Sequence, residues 1–400
     1  MFQRLVSRND DIRRLVEKGY AIGFDGAYMI VRDIPYLDSA KALHWGAFVA
    51  KLVFVDQERV AQDDHQIFFA GTAPHNVDGT PVANLNDRGH SLRLSEVNAD
   101  VVVQRQFSNK PRPSRKFENF YDKVESYTTL IAGPAMNLFG ANPYTFRARK
   151  DAAPPSVFKF QDTLTSRAEI SELSKKFEND VIAIIGLGGT GAFVLDFMVK
   201  TPVKELRAFD LDEFHVHNAF RSPGRLMEDE LGKRKAEVYQ SRYANFRHGL
   251  TVTPRFIDSM SADQLAGVTF AFVCVDKGSS RAEIFDLLIN SGIPFIDVGM
   301  GLSRSAKGAL KGMLRTTYFP PKQAQEIRDQ RLAETSDAEE DIYKTNIQIG
   351  ELNALNACLA VIRFKQLRGF YIGDHPYYHI LFDLFDLKTV SEALADAHQT

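Results

Sequence analysis

Val181-Ile182-Ala183-Ile184-Ile185 runs straight into Gly186-Leu187-Gly188-Gly189-Thr190-Gly191, and Ala192-Phe193-Val194-Leu195-Asp196-Phe197-Met198-Val199 follows. The first run is short, apolar and β-branched, so it reads as a strand. The last reads as a helix. A G-x-G-x-x-G match carries weight only in this setting of strand, glycine turn and helix. Gly186 permits the tight turn, Gly188 lets backbone come close to a phosphate, and Gly191 lets the helix pack onto the strand. The helix start then offers unpaired N–H groups and a partial positive charge to an anion. A bound nucleotide is the first expectation, with Gly186, Gly188, Gly189 and Gly191 around its phosphates.

The residues downstream choose between nucleotides. Leu206-Arg207-Ala208-Phe209-Asp210 reads as a second strand ending in an acid. A dinucleotide site also places an acid there, about 20 residues on, for the ribose hydroxyls. Such a site needs no cluster of cations beyond the acid. This chain supplies Asp210, Asp212, Asn218, Arg221 and Gly232-Lys233-Arg234-Lys235. Acids, an amide, an arginine and a lysine suit a triphosphate with a metal: carboxylates can hold Mg²⁺, and Arg221 and Lys235 can neutralise phosphate charge. Taken singly, each residue has a plainer reading: surface cations for Arg221 and Lys235, a strand-end turn for Asp210 and Asp212. Their order behind a correctly placed glycine turn favours the site.

With those motifs in order, the segment from about 165 to 370 resembles the adenylation domain of the ThiF/MoeB/E1-like adenylyltransferase family. Phe270-Ala-Phe-Val-Cys-Val-Asp276 matches the family's strand whose terminal acid lies near the metal and the α-phosphate, and Phe295-Ile-Asp-Val-Gly299 resembles the next strand. The resemblance implies an α/β fold: a Rossmann-like domain with a mainly parallel sheet, beside a separate α+β N-terminal domain. It implies ATP and Mg²⁺, and adenylation of the C-terminal carboxylate of a ubiquitin-like or sulfur-carrier protein. Asp210 would hold the ribose. Asn218, Arg221 and Lys235 would hold the triphosphate, with Asp276 by the metal and the reacting phosphorus. Relatives also use an arginine from an N-terminal helix, often lent by a second protomer, for which Arg167 stands at the matching place; a surface cation on that helix is the equal alternative. A homodimer, an E2-like partner and a role in bacterial ubiquitin-like conjugation linked to phage defence follow from the same resemblance.

The chemistry accounts for these residue types. A carboxylate is already ionised at neutral pH, so no general base is required. Bringing it onto the α-phosphate and stabilising departing pyrophosphate are tasks of positioning and electrostatics. The chain departs from the family pattern at Arg221-Ser222, where an Arg-Gln pair is usual, and at Asp276-Lys277, where Asp-Asn is common. With only Cys274 and Cys358 it cannot build the two C-x-x-C pairs of a structural zinc. Cys274 falls in an apolar strand and Cys358 in a helical pattern, so thiol transfer is expected on a partner, with Cys358 the lesser candidate. Two other classes stay open: an NAD(P)-dependent oxidoreductase, which would leave Arg221 and Lys235 without a shared task, and a non-catalytic nucleotide-binding scaffold.

Composition sets the outer limits. Four hundred residues suggest about two to three domains, and 44% hydrophobic content supports ordered cores. A net charge of −2 gives no bulk attraction to nucleic acid. No apolar run approaches a membrane span and Met1 to Asp11 has no secretory core, so a cytoplasmic protein without membrane contact is expected. Residues 1–150 read as an α+β accessory domain and 160–400 as the adenylation domain, joined by the proline-bearing stretch 152–156. The first part resembles the uncharacterised N-terminal domain of some bacterial ThiF-like proteins. It carries a helix from Asp10 to Lys18, a hairpin turning at Asp25-Gly26, strands near 46–55, 66–70 and 101–108, and an aromatic helical stripe from Phe117 to Ile131. Its Asp63, Asp64, His65, His75 and His90 match no metal spacing. Residues 109–116 form a basic, proline-containing loop. After a charged region at 326–341, a helix is expected over Leu352–Leu367, then a final strand and a short helix.

Overall fold

The computed structural model describes residues 2–111, 115–147, 156–160, 162, 164–165, 170–337, 347–373 and 375–393. The chain divides into two compact units, 1–171 and 172–400. Among the expected features, Arg167, residues 112–114 of the basic loop and 152–155 of the linker fall outside the described residues.

In the first unit α1 (Phe2–Arg8) and α2 (Asp10–Lys18) precede β1 (Ala21–Asp25) and β2 (Tyr28–Leu37). Asp25 pairs with Tyr28, and Gly26 takes φ +54 to close the hairpin, the left-handed geometry that a two-residue turn demands. β3 (Leu43–Phe54), β4 (Val60–Gln62), β5 (Gln66–Ala70), β6 (Arg88–Leu92) and β7 (Val103–Ser108) complete an antiparallel sheet of order β1-β2-β3-β5-β7-β6, with β4 on β3. α3 (Phe120–Phe139) starts where Asn119 accepts from the Asp122 N–H at 2.9 Å, and ends at Gly140 with φ +63. Its Phe120, Val124, Tyr127 and Ile131, spaced by helical turns, pack with Ile12 and Leu15 of α2 against Phe48 and Phe69 of the sheet. The histidines go separate ways: His65 meets Ser108, His75 its own turn at Ala73, and His90 stacks on Phe68.

The second unit is built on β8 (Val181–Ile185), all five residues buried as expected of a strand covered on both faces. α4 (Gly189–Val199), β9 (Glu205–Phe209), the one-turn α5 (Val216–Ala219), α6 (Lys235–Tyr243) and β10 (Leu250–Thr253) follow. Then come β11 (Phe270–Val273), α7 (Gly278–Asn290), β12 (Phe295–Arg304), β13 (Leu310–Phe319), α8 (Ala324–Asp329) and α9 (Gly350–Leu367). β14 (Tyr377–Asp383) and β15 (Lys388–Ala393) close the sheet. The order is β10-β9-β8-β11-β12-β13-β14-β15, parallel through β12 and antiparallel beyond. This is the Rossmann-like α/β arrangement expected from the sequence. The tail holds two strands where one was expected, β14 and β15 forming a hairpin, and residues 394–400, which belong to the stretch where a closing short helix was expected, lie outside the described residues. His379, Leu381 and Asp383 pair across to Glu392, Val390 and Lys388, a period-two pattern that makes 388–393 a strand.

β9 and β11 flank β8 on opposite sides, so the chain reverses direction of travel across the sheet at β8. The carboxyl end of β8 is the switch point at which open α/β sheets leave a crevice. The glycine turn emerges there.

Candidate functional site

Four glycines shape the turn, and only one faces open space. Gly186 has φ +92, and a Cβ on it would stand 2.7 Å from the Cys274 carbonyl oxygen. A Cβ on Gly191 would run into the Gly186 carbonyl, and one on Gly189 into the Asn353 side chain. Those three positions are closed by packing. Gly188 has φ −66, and a Cβ there would meet nothing within 4 Å. It lines a cavity of 680 Å³, together with Gly189, Thr190 and Asp276.

The acid at the end of β9 is buried and already employed. Asp210 Oδ2 accepts from the Leu187 N–H at 2.7 Å, which fixes the glycine turn, and Oδ1 accepts from the Asp212 N–H at 2.9 Å. Burial pushes this carboxyl above its ordinary range, against the pull of Lys235 and the Leu187 N–H. Each oxygen keeps a further lone pair for a ligand hydroxyl. Lys235, the first residue of α6, is buried and sends its ammonium to Asp212 Oδ2 at 2.7 Å and Asp210 Oδ1 at 3.5 Å.

Asn218 is a buried shaping residue: its amide oxygen accepts from the His215 N–H at 2.8 Å. Arg221 follows the same short helix, and its Nε is buried without a hydrogen-bond partner among the described residues. Such an atom costs free energy until something accepts from it. Asp212, Asn218, Arg221 and Lys235 line a second recess of 380 Å³. The expected site residues therefore gather in two places. Gly188, Gly189 and Asp276 face the larger cavity, and the cations face the recess. Asp210 joins them, bonded to the turn on one side and to Lys235 on the other.

Asp276 is exposed, three residues beyond the end of β11, and takes a hydrogen bond from Gln348 Nε2 at 2.9 Å. Among the described residues, no three or more His, Cys, Asp or Glu side chains form a metal-holding group. A lone carboxylate on a cavity of that volume still fits Mg²⁺, which is commonly held by one or two carboxylates plus substrate phosphates. Lys277 is exposed.

Sequence reasoning missed a charge cluster on the wall of the same cavity. Asp297, fully buried in β12, takes Arg281 Nε on Oδ1 at 3.1 Å and Arg315 on Oδ2. Arg281 also donates to the Glu334 carbonyl at 2.7 Å, and Arg315 to Thr317 Oγ1 at 2.9 Å. The signal was an acid in the middle of the apolar run Phe295-Ile-Asp-Val: a buried carboxylate needs paired cations. Those cations come from α7 and from β13, which is paired with β12, and only the tertiary fold brings them together.

Neither cysteine resembles a thiolate nucleophile. Cys274 is buried under the glycine turn and burial pushes its thiol up; Cys358, half-buried on α9, is raised for the same reason.

Residues 10–163 match a domain of unknown function, DUF6791. The tRNA threonylcarbamoyladenosine dehydratase of Escherichia coli is 24% identical over 139 residues, 34% of this chain and 52% of that protein. The chain thus matches about half the length of this relative. Among solved structures, E. coli MccB with AMPCPP and MccA covers 56% of this chain and 67% of its own, at 15% identity and a TM-score of 0.43. E. coli tRNA N6-threonylcarbamoyladenosine dehydratase, TcdA, covers 51% of this chain and 92% of its own, at 17% identity and a TM-score of 0.39. The ThiF family matches residues 164–372, more than half of the sequence and a span that includes Gly186 to Gly191, Asp210 and Asp276. The chain belongs to the ThiF family.

Proposed function

We propose that this protein transfers the adenylyl group of ATP to the C-terminal carboxylate of a ubiquitin-like or sulfur-carrier-type protein. The carboxylate oxygen forms a bond to the α-phosphorus. The bond from that phosphorus to the β-bridging oxygen breaks, and pyrophosphate leaves with the electron pair. No proton moves, so the chain needs cations and fixed N–H groups rather than a base. Gly188 admits the phosphates, Asp210 keeps lone pairs for the ribose, and Arg221 and Lys235 hold the triphosphate. Asp276 holds Mg²⁺, which when bound would offset charge on the phosphates. The observation that carries this reading is the link through Asp210: one buried carboxylate is tied both to the glycine turn and to Lys235 of the cationic recess. The thiols, Cys274 buried and Cys358 half-buried and both raised by burial, favour an adenylate handed to a partner, an E2-like protein among the candidates, over a thioester on this chain. A homodimer, with Arg167 lent across it, and a place in a bacterial conjugation system linked to phage defence complete the proposal.

The test is exchange of labelled pyrophosphate into ATP, with Mg²⁺ and with or without candidate carrier proteins. Carrier-dependent exchange is expected. NAD(H) binding without ATP binding would instead point to an oxidoreductase, and nucleotide binding without exchange to a scaffold.

A further inference from the structure

The second recess carries two histidines that the adenylation reading leaves without a task. His215 caps the start of α5 and His217 is its second residue, with ring centroids 5.7 Å apart, and both line the recess. The charged and titratable groups sharing that wall are Asp212, Glu213, Arg221, Arg234 and Lys235. Three cations against two acids leave one net positive charge before either histidine is protonated. Lys235 is held by Asp212 and Asp210, and Arg234 donates to the Leu211 carbonyl at 2.7 Å. Arg221 Nε, buried and unpartnered, is thus the donor left waiting for an acceptor.

We infer that this recess takes the pyrophosphoryl end of the nucleotide and that His217 is part of its anion-holding wall, so that polyphosphate binding is linked to protonation of His217. The inference rests on the adenylation reading for the identity of the anion. Its physical basis is the local field. Burial pushes His217 below its ordinary value, and Arg221, His215 and Lys235 push it further. A polyphosphate entering among these cations reverses their effect on the ring. Protonated His217 then adds a charge-assisted hydrogen bond to a phosphate oxygen. Affinity should rise as pH falls through the histidine range, near 6.5 for an unperturbed ring. This wall would retain pyrophosphate more firmly in acid and release it more readily at alkaline pH.

The experiment titrates the full chain with inorganic pyrophosphate by calorimetry at pH 5.5 and pH 8, for wild type and His217→Gln. Titration of pyrophosphate itself cancels in the ratio of the two dissociation constants. The ratio of variant to wild type is expected to be about tenfold at pH 5.5 and to approach one at pH 8. His217 is exposed, so the variant's thermal unfolding should match wild type. An equal ratio at both pH values would overturn the inference. So would ATP binding by a wild-type chain that ignores pyrophosphate, which leaves the adenylation reading standing. Loss of both ATP and pyrophosphate binding in wild type would sink the two together.

Discussion

Lys235 Nζ lies 2.7 Å from Asp212 Oδ2 and 3.5 Å from Asp210 Oδ1, so one buried ammonium ties the cationic recess to the carboxylate that fixes the glycine turn. The two partners differ in surroundings. The Asp210 side chain is 7% exposed and that of Asp212 65%. Asp210 depends on the lysine, whereas Asp212 can exchange it for water. Lys235→Ala should therefore strand a buried carboxylate and cost about 3 kcal/mol of stability, the scale for a broken buried pair. Asp212→Asn should cost less than about 1 kcal/mol. Denaturant unfolding of both variants checks the difference, and equal losses would refute it. Lys235→Ala should also weaken ATP binding, read by calorimetry.

The glycines make a sharper contrast. Gly191→Ala puts a methyl group into the Gly186 carbonyl, backbone against backbone. Neither atom can yield without moving β8 or α4, and close-packed interiors resist such shifts. We expect that variant to unfold or to lose several kcal/mol. Gly188→Ala has room, and its φ suits alanine. It should fold as wild type and yet bind ATP at least about tenfold more weakly, since the new methyl occupies the approach of a phosphate. Thermal melts with and without ATP distinguish the two, and a Gly188→Ala chain that binds ATP normally would remove Gly188 from the site.

Asp276→Ala should abolish ATP–pyrophosphate exchange and leave stability within about 0.5 kcal/mol of wild type. The carboxylate is exposed, and Gln348 is its one hydrogen-bond partner among the described residues. Removing it therefore leaves no buried charge behind. Wild-type exchange in this variant would count against the assignment. Cys358→Ser should exchange normally, because its thiol sits half-buried on α9, away from both recesses.

Much of the second unit could be read from residue order alone. Hydrophobic runs ended by Gly186, Asp210 and Asp276 mark strand ends, and strand ends are where an α/β sheet presents chemistry. The division of the site between a cavity and a recess could not be read, since it depends on the side to which Asp210 turns. The Arg281–Asp297–Arg315 cluster was hidden for a related reason. Its members lie 16 and 18 positions apart in the chain: the register of β12 with β13, which sets Asp297 opposite Thr317 and Gly299 opposite Arg315, brings in Arg315, and Arg281 reaches Asp297 from α7. Period-two patterning assigns faces, and register assigns partners. The closing hairpin was missed because Lys388–Ala393, at an exposed edge, has too few apolar residues to announce a strand.

The first unit allows a test that needs no ligand. Lys123 of α3 is 1% exposed, and its ammonium reaches the Gln66 carbonyl at 3.3 Å. Its value is pushed down to about 8 from an ordinary 10.5 by burial, with Asp64 and Asp63 opposing. A lysine whose folded-state value is depressed contributes stability above the unfolded value, and that contribution is lost as pH falls through the folded one. The window is therefore pH 10.5 down to 8. At pH 7 the buried charge costs about 3 kcal/mol. Lys123→Met keeps the apolar stem and removes the charge. It should stabilise the first unit by up to that amount at pH 7 and by less than about 1 kcal/mol at pH 10. Trp45, the chain's single tryptophan, lies in β3 and reports this unit's unfolding by fluorescence. A gain that stays constant from pH 7 to pH 10 would mean that the ammonium is not paying for its burial.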